Sequence, residues 1–482
     1  MSRQQLTIEP RADRASGPPG RPRLAGRWRI PDAAAFFLLG SISVSFLAGS
    51  AAPTPLYAHY QQEWGFSPIT TTVIWGIYAL AVLAALLVAG SLSDHVGRRP
   101  MLLAAIAVQA ATMVVFATAG SVTTLLAARV IQGLATGAAV GAIGAGLVDL
   151  HRVRGTVANA VVAPVGTAVG ALGAGLLVQY LPDPAELVYL VLLGVFALQW
   201  AGVALMPEPG TRRPGALAAL RPRMSVPPSV RRPVLAAVPA LLAVWSLGGF
   251  YGSLGPALVS LLAGAQSAVL GGLALFILAA AGAVTVLALH RAPPRRVLAA
   301  GMVALLAGVG LTLVSIAITS VGVFLIGTTI AGIGFGGGFQ GAVRLVLPQA
   351  AAHERAGVLS TLWVVSYLAL GLPAVIAGFL VVDGGGLLAT AREFGVAVMV
   401  LAAVTIVALA RSARPGPVVQ AVAHAGPAVA QPGPPVAQPG MAAPQPVIAA
   451  PQPGMAAPQP GMAAPQEAPA RELSSCSATT RD

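Results

Sequence analysis

The chain has 482 residues, of which 56% are hydrophobic and only 9% charged, with a mean hydropathy of +0.81. Water-soluble domains carry about 25% charged residues, so this composition excludes a water-soluble domain and defines an integral membrane protein. The net charge of +13 does not point to nucleic acid, because the basic residues, all of them Arg, lie in short loops between apolar runs and form no basic face interleaved with aromatics.

A helix needs roughly 20 apolar residues to cross the hydrocarbon. Uncharged runs of that size, divided at turn residues, predict twelve spans at about 33–53, 70–90, 101–119, 123–146, 157–180, 187–206, 234–262, 267–289, 297–317, 321–344, 356–381 and 391–410. Two hairpins rest on turn residues without a charge. They are the break near Gly264-Ala265-Gln266 and the break near Thr319-Ser320. The basic start and an apolar run ending in Ser50-Ala51-Ala52 have the outline of a cleaved leader. The run is nonetheless of spanning length, and its removal would leave an odd number of spans.

The arginines test this plan independently. With both termini cytoplasmic, 26 of the 28 arginines fall on inner segments, Arg392 alone lies outside and Arg129 falls within a span. A multi-pass protein of the cell membrane with cytoplasmic ends is expected. The single cysteine, Cys476, excludes an intramolecular disulfide and a thiolate-rich metal site. No catalytic pair, metal or cofactor is expected.

Five regions follow: a cytoplasmic arm (1–31), a six-helix half (32–206), an Arg- and Pro-rich linker (207–232), a second six-helix half (233–411) and a Pro-, Ala- and Gln-rich tail (412–482) with approximate heptads from Gln431 to Pro465. Proline at this density, with few bulky apolar side chains, predicts an extended, unpacked tail. Sliding the chain by 197 residues brings Arg98 and Arg99 onto Arg295 and Arg296, and Gly97 onto Pro294. Pseudo-symmetry between halves gives such an echo, and so do basic residues placed after every inward span. Asp94 falls on Arg291, so the second loop lacks the acid.

The stretch Gly90-Ser91-Leu92-Ser93-Asp94-His95-Val96-Gly97-Arg98-Arg99 joins spans two and three. Gly90 permits close backbone approach, Gly97 a tight turn, and Asp94, Arg98 and Arg99 a charged network able to latch two helices in one state and release them in another. The pattern resembles the loop signature of the major facilitator superfamily: Gly, three residues, Asp, a basic residue, one more, Gly, Arg and a basic residue. His95 stands where that family usually has Arg or Lys. The resemblance implies an all-α membrane fold of twelve helices in two pseudo-symmetric halves, working as a secondary transporter.

Within span four, Arg129 followed by Gln132 and Gly133 resembles the Arg, two residues, Gln, Gly element of the same family, which implies proton coupling and packing. A guanidinium at membrane depth faces the bundle interior or a wet cavity, unless it snorkels to the nearby outer surface. In span five, Pro164, Gly166, Gly170, Gly173 and Gly175 recur at small-residue spacing. They partly resemble the antiporter signature, although Ala163 precedes Pro164 and no Gly-Gly pair is present. Generic close packing accounts for them nearly as well.

No Asp or Glu falls in the interior of a predicted span, so Asp32, Asp149 or Asp94 at the rims, with Arg129 and Gln132, are the candidates for coupling; otherwise transport is uncoupled. One deep cation without a deep anion favours neutral or anionic amphiphiles over cations. Trp75 and Tyr78, Trp245 and Tyr251, Phe339 and Gln340, and Trp363 and Tyr367 offer candidate cavity walls, with interfacial anchoring as the alternative for aromatics near helix ends. These features together predict a monomeric, proton-coupled exporter of small amphipathic molecules. Its rivals are a uniporter or importer of a metabolite and a membrane receptor or scaffold.

Overall fold

The computed structural model describes residues 30–412 except 211–213, 217–219, 221–223 and 266; the N-terminal arm and the heptad-bearing tail lie outside the described residues. Among the described residues, twelve helices are long and apolar enough to cross a membrane. In chain order the spans are Asp32–Ala51, Pro68–Ala89, Arg98–Ala117, Val122–Leu150, Arg152–Tyr180 and Pro184–Leu205, then Pro228–Ser253, Ala268–Ala288, Pro294–Ile318, Val321–Val346, Arg355–Asp383 and Leu387–Ser412. Among the described residues there is no strand. Hydrocarbon offers backbone groups no partner, so a spanning segment satisfies them internally as a helix.

Local signals set the ends. Proline opens spans two, six, seven and nine, where its missing N–H has no intrahelical partner to lose. Ser121, Ser267 and Ser320 cap spans four, eight and ten through their side chains. The two uncharged hairpins turn where expected: Gly264 is left-handed (φ 62°) after a short helix, and Thr319 takes φ 53° just before the Ser320 cap.

Several boundaries move. The expected seventh span, 234–262, is a helix over Pro228–Ser253 and a second, short helix over Gly255–Ala263, broken where Pro256 cannot donate a backbone hydrogen bond. The last span begins at Leu387, four residues earlier than expected, which places Arg392, expected outside, and Glu393 in its second turn, both exposed. A short helix after span one, Tyr57–Trp64, has no counterpart in the sequence reading.

Two apolar cores form, one drawn almost entirely from spans one to six and the other from spans seven to twelve. Span four lies against span two through Gly133, Gly137 and Gly141. A Cβ at these positions would stand 2.6 Å from Ala81 Cβ, 2.5 Å from Val82 O and 2.8 Å from Gly90 O. Span ten repeats this against span eight through Gly332 and Gly336, which abut Leu278 O and Gly282 O. Small residues at four-residue spacing let backbones approach in lipid, where dispersion takes over from hydrophobic driving force.

The halves meet along spans two and eleven and along spans five and eight. Thr54 Oγ1 donates to Gly252 O at 3.1 Å, Ser267 Oγ to Gln179 Oε1 at 2.8 Å, and Thr72 Oγ1 sits against Gly378. All three contacts lie toward the end of the bundle where span one finishes. The loops at the opposite end carry Arg98, Arg99, Arg152, Arg154, Arg291, Arg295 and Arg296.

Candidate functional site

At the arginine-rich end the chain leaves span two through a four-residue helix, Ser93–Val96, and enters span three at Gly97 with φ 110°. An L side chain rarely adopts that conformation, which accounts for the second glycine of the pattern. The turn brings the Arg98 guanidinium onto Asp94, onto Ser93 Oγ at 2.8 Å and onto Asp149 Oδ2 at 3.3 Å. Asp149, grouped with Arg129 on sequence grounds, therefore sits in the loop network at the far end of span four. Glu208, just beyond span six, accepts from the backbone N–H of Arg98 at 2.6 Å and of Arg99 at 3.3 Å. A carboxylate there satisfies orphan donors and complements the helix dipole. Arg99 turns to the last carbonyls of span six, Val203 O at 3.1 Å and Ala204 O. Spans two, three, four and six are thus joined at one end.

The second half keeps this plan with the polarity reversed. Arg295, opening span nine, donates to Leu409 O of span twelve, as Arg99 does to span six. Arg344 of span ten donates to Leu289 O at 3.1 Å and Ala292 O at 2.9 Å in the loop before span nine. The structural counterpart of Arg99 is therefore Arg295, one residue off the register of the sequence echo, and the acid missing at Arg291 is replaced by loop carbonyls.

Arg129 is the largest fully buried side chain, 0% exposed. Its guanidinium donates to Ser50 O at 2.9 Å, to Gln132 Oε1 at 2.8 Å and to the Tyr57 hydroxyl. The rings of Tyr78, Trp75, Tyr57 and Phe116 surround it at 5.2, 5.8, 5.9 and 5.9 Å. Gln132 Nε2 donates to Gly49 O at 3.0 Å, which fixes the network to span one. Cation–π attraction and carbonyl acceptors replace a carboxylate here. Asp32 does not reach the network: it is exposed at the start of span one, separated from Ser50 by about 27 Å of helix at 1.5 Å per residue.

Span five runs unbroken through Pro164. Gly166 and Gly170 abut Val44 O and Ala48 O of span one, and Gly175 abuts Ala268 O of span eight. Gly173 departs from expectation, for a Cβ there would meet nothing within 4 Å. The signature thus joins span five to its own half by one face and to the other half by another.

The expected cavity aromatics divide. Trp75 and Tyr78 serve the Arg129 cage, and Tyr251 hydrogen-bonds Thr328 at 2.9 Å and stacks on Phe324, inside the second core. Gln340 donates to Val286 O at 3.0 Å. Trp245, Phe339, Trp363 and Tyr367 do come together, with centroids 5.4–6.1 Å apart, and are joined by Phe335. Sequence reasoning missed Phe335, one helical turn before Phe339, as well as Glu208 and Tyr57. It also missed the Tyr60–Tyr189 hydroxyl pair and Gln109, fully buried near Gly49. Glu208 had a signal: it is an acid set directly after an apolar span in an otherwise basic linker.

Twelve spans in two six-helix halves, a charged loop after the second span and a buried arginine in the fourth define a membrane transporter fold. The family model described as Major Facilitator Superfamily matches residues 38–292, and the chain belongs to that superfamily. Among solved structures, it is similar to the human organic anion transporter MFSD10 (TETRAN), with 20% identity and a TM-score of 0.56 over 78% of this chain and 100% of that one. It is likewise similar to the nucleoside transporter NupG, with 11% identity and a TM-score of 0.58 over 78% of this chain and 98% of that one. No curated protein matches. At these identities the likeness is one of fold. The chain is a multi-pass secondary transporter of small molecules, not an enzyme.

Proposed function

We propose that this transporter exports small amphipathic molecules, neutral or anionic, in exchange for protons, with the arginine-rich end and both termini in the cytoplasm of a cell-membrane protein. The observation that carries the reading is the distribution of contacts between the halves. They hold together at the end away from the arginines, as one closed gate of an alternating-access cycle requires. The positive-inside rule assigns the arginine-rich end to the cytoplasm. Support for exchange comes from Arg129 and from span five, whose glycines join the Arg129-bearing half to span eight. In this reading the Asp94–Arg98–Asp149 network is the cytoplasmic latch that locks and frees the loop as the halves rock.

A uniporter or importer is the second reading, favoured because the only acid well inside a span among the described residues, Glu393, is exposed. Proton flux into sealed vesicles, measured with a pH-sensitive dye on addition of a chemically diverse panel, separates the two. Exchange predicts alkalinisation or acidification that depends on substrate and is abolished by an uncoupler. Transport of a substrate without any proton movement would establish uniport.

A further inference from the structure

Trp245, Phe335, Phe339, Trp363 and Tyr367 form one connected cluster of rings. Parallel stacks occur elsewhere, Phe116 on Tyr189 at 11°, Tyr60 on Trp64 at 16° and Tyr251 on Phe324 at 20°, beside tilted or edge-on pairs such as Phe46 and Phe196 at 74°. Within the cluster every pair is tilted or edge-on, from 38° for Trp245 and Tyr367 to 83° for Trp245 and Phe339. Edge-on pairing leaves ring faces without an aromatic neighbour. All five side chains are only half-buried, whereas the rings around Arg129 are buried. Trp245 packs against both cores, Tyr367 against the first and Phe335 and Phe339 against the second, so the cluster stands at the junction of the two halves. Trp245 Nε1 is buried and has no hydrogen-bond partner. An indole N–H is a donor only, so an acceptor is missing there.

Charge selects further. Ring faces carry a negative quadrupole and disfavour an anion. Arg129 lies among Tyr57, Trp75 and Phe116 of the core that Trp245 and Tyr367 touch, and its full positive charge in a low-dielectric interior disfavours a cation. Its two terminal nitrogens donate to Ser50, Gln132 and Tyr57, and its Nε, which has no partner, is buried with the rest of the side chain, so Arg129 offers an anion no open donor in this conformation.

Resting on the transporter reading above, we infer that the substrate is an uncharged, flat aromatic molecule bearing a hydrogen-bond acceptor, held by the ring faces of this cluster with its acceptor on Trp245 Nε1–H. This narrows the expected class from neutral or anionic amphiphiles to neutral aromatic ones.

The test uses the full-length protein in lipid nanodiscs and radiolabelled coumarin, a flat neutral ring system with a carbonyl acceptor, in an equilibrium binding assay. Four competitors isolate the features: octahydrocoumarin keeps the carbonyl without the aromatic rings, naphthalene keeps the rings without an acceptor, 2-naphthoate adds a negative charge and N-methylquinolinium a positive one. Coumarin is expected to bind at least about tenfold more tightly than octahydrocoumarin and than either ion. Trp245→Phe, which keeps an aromatic ring and removes the N–H, should weaken coumarin about three- to tenfold and leave naphthalene unchanged. A misfolded variant would lose both ligands together with its cooperative melting transition, and Trp200→Phe, exposed on span six outside the cluster, should retain both.

Tightest binding by either ion, equal binding of octahydrocoumarin, no binding of coumarin, or equal loss of coumarin and naphthalene in a Trp245→Phe protein that melts like the parent would each overturn the inference. Binding needs no gradient. Failure here with substrate-dependent proton flux intact would therefore sink the substrate class alone, and the expected pattern without proton flux would sink the exchange reading alone.

Discussion

Two glycines of the same helical bundle should respond with opposite sign to the same substitution. In Gly137→Ala the new Cβ would lie 2.5 Å from Val82 O and 2.6 Å from Ala85 Cβ. Ordinary contacts are about 3.4 Å or longer, so span two has to move outward by several tenths of an ångström, and a clash this deep against a backbone oxygen falls in the upper part of the overpacking range, about 2–3 kcal/mol. The better helix propensity of alanine returns about 1 kcal/mol, which leaves a net loss of about 1–2 kcal/mol. In Gly173→Ala the Cβ meets nothing within 4 Å, so only the propensity gain remains, up to about 1 kcal/mol. Thermal unfolding of the purified protein in detergent, followed by intrinsic tryptophan fluorescence, reads both. At about 2 °C per kcal/mol, Gly137→Ala should melt about 2–4 °C below the parent and Gly173→Ala up to about 2 °C above it. Because span two also carries Trp75 and Tyr78, Gly137→Ala should slow transport as well. A Gly137→Ala protein as stable as the parent would refute the close approach of spans two and four, and with it the positioning of the Arg129 cage.

Asp94→Asn removes one acceptor from a partly exposed network, in which the Asp94 and Arg98 side chains are 35% and 11% exposed. It should cost no more than about 1 kcal/mol of stability yet cut turnover strongly, and normal uptake into vesicles by that variant would dismiss the latch. Arg129→Lys keeps the charge but cannot donate to Ser50, Gln132 and Tyr57 together; a loss of about 3 kcal/mol and most of the transport rate is expected, and an unchanged melting curve would show that the cage is not organised around the guanidinium. Glu208→Gln weakens the carboxylate cap on span three and should lower stability by about 1 kcal/mol, with faster hydrogen–deuterium exchange appearing first at the backbone N–H groups of Arg98 and Arg99; unchanged exchange there would make the cap idle. Truncation after Pro415, outside the described residues, should preserve transport per molecule because the Pro-rich composition does not support a packed unit, and a truncated protein at the membrane that fails to transport would assign the tail a part in the cycle.

The spans were legible because length and apolarity alone dictate them: hydrocarbon thickness sets the count, and the arginines set the parity. Their ends were less so. The early start of span twelve was hidden by Arg392 and Glu393, charged residues that set the expected boundary at the edge of the uncharged run, and the break before Gly255 depends on Pro256 within an otherwise unbroken apolar stretch. The loop from Gly90 to Arg99 was legible because its spacing is specific, and its geometry bears a physical reason for each of Gly97, Asp94 and Arg98. What the loop binds was not. Asp149 and Glu208 are 51 and 110 residues from Arg98 in the chain, and only the packing of spans four and six against span three brings them there. Arg129 illustrates the same limit. With no acid in the span interiors, a rim acid was the expected partner of the deep arginine, but aromatic rings, Gln132 and a carbonyl serve instead, and four rings from three different elements cannot be read as one cage from spacing along any of them. Gly173 shows the converse, since helical spacing places it among packing glycines while only the neighbouring spans decide which face is occupied.

The most direct measurement of alternating access is a reversible cross-link across the closed end. Ser267 Oγ donates to Gln179 Oε1 at 2.8 Å between spans eight and five. In a Cys476→Ser background, Gln179→Cys with Ser267→Cys, joined by a short bis-methanethiosulfonate reagent, should hold the halves together at that end. Transport into vesicles should stop on cross-linking and return on reduction, with either single cysteine unaffected. Full transport by the cross-linked protein would mean that this end never opens, and would contradict the rocking of the two halves as the basis of transport.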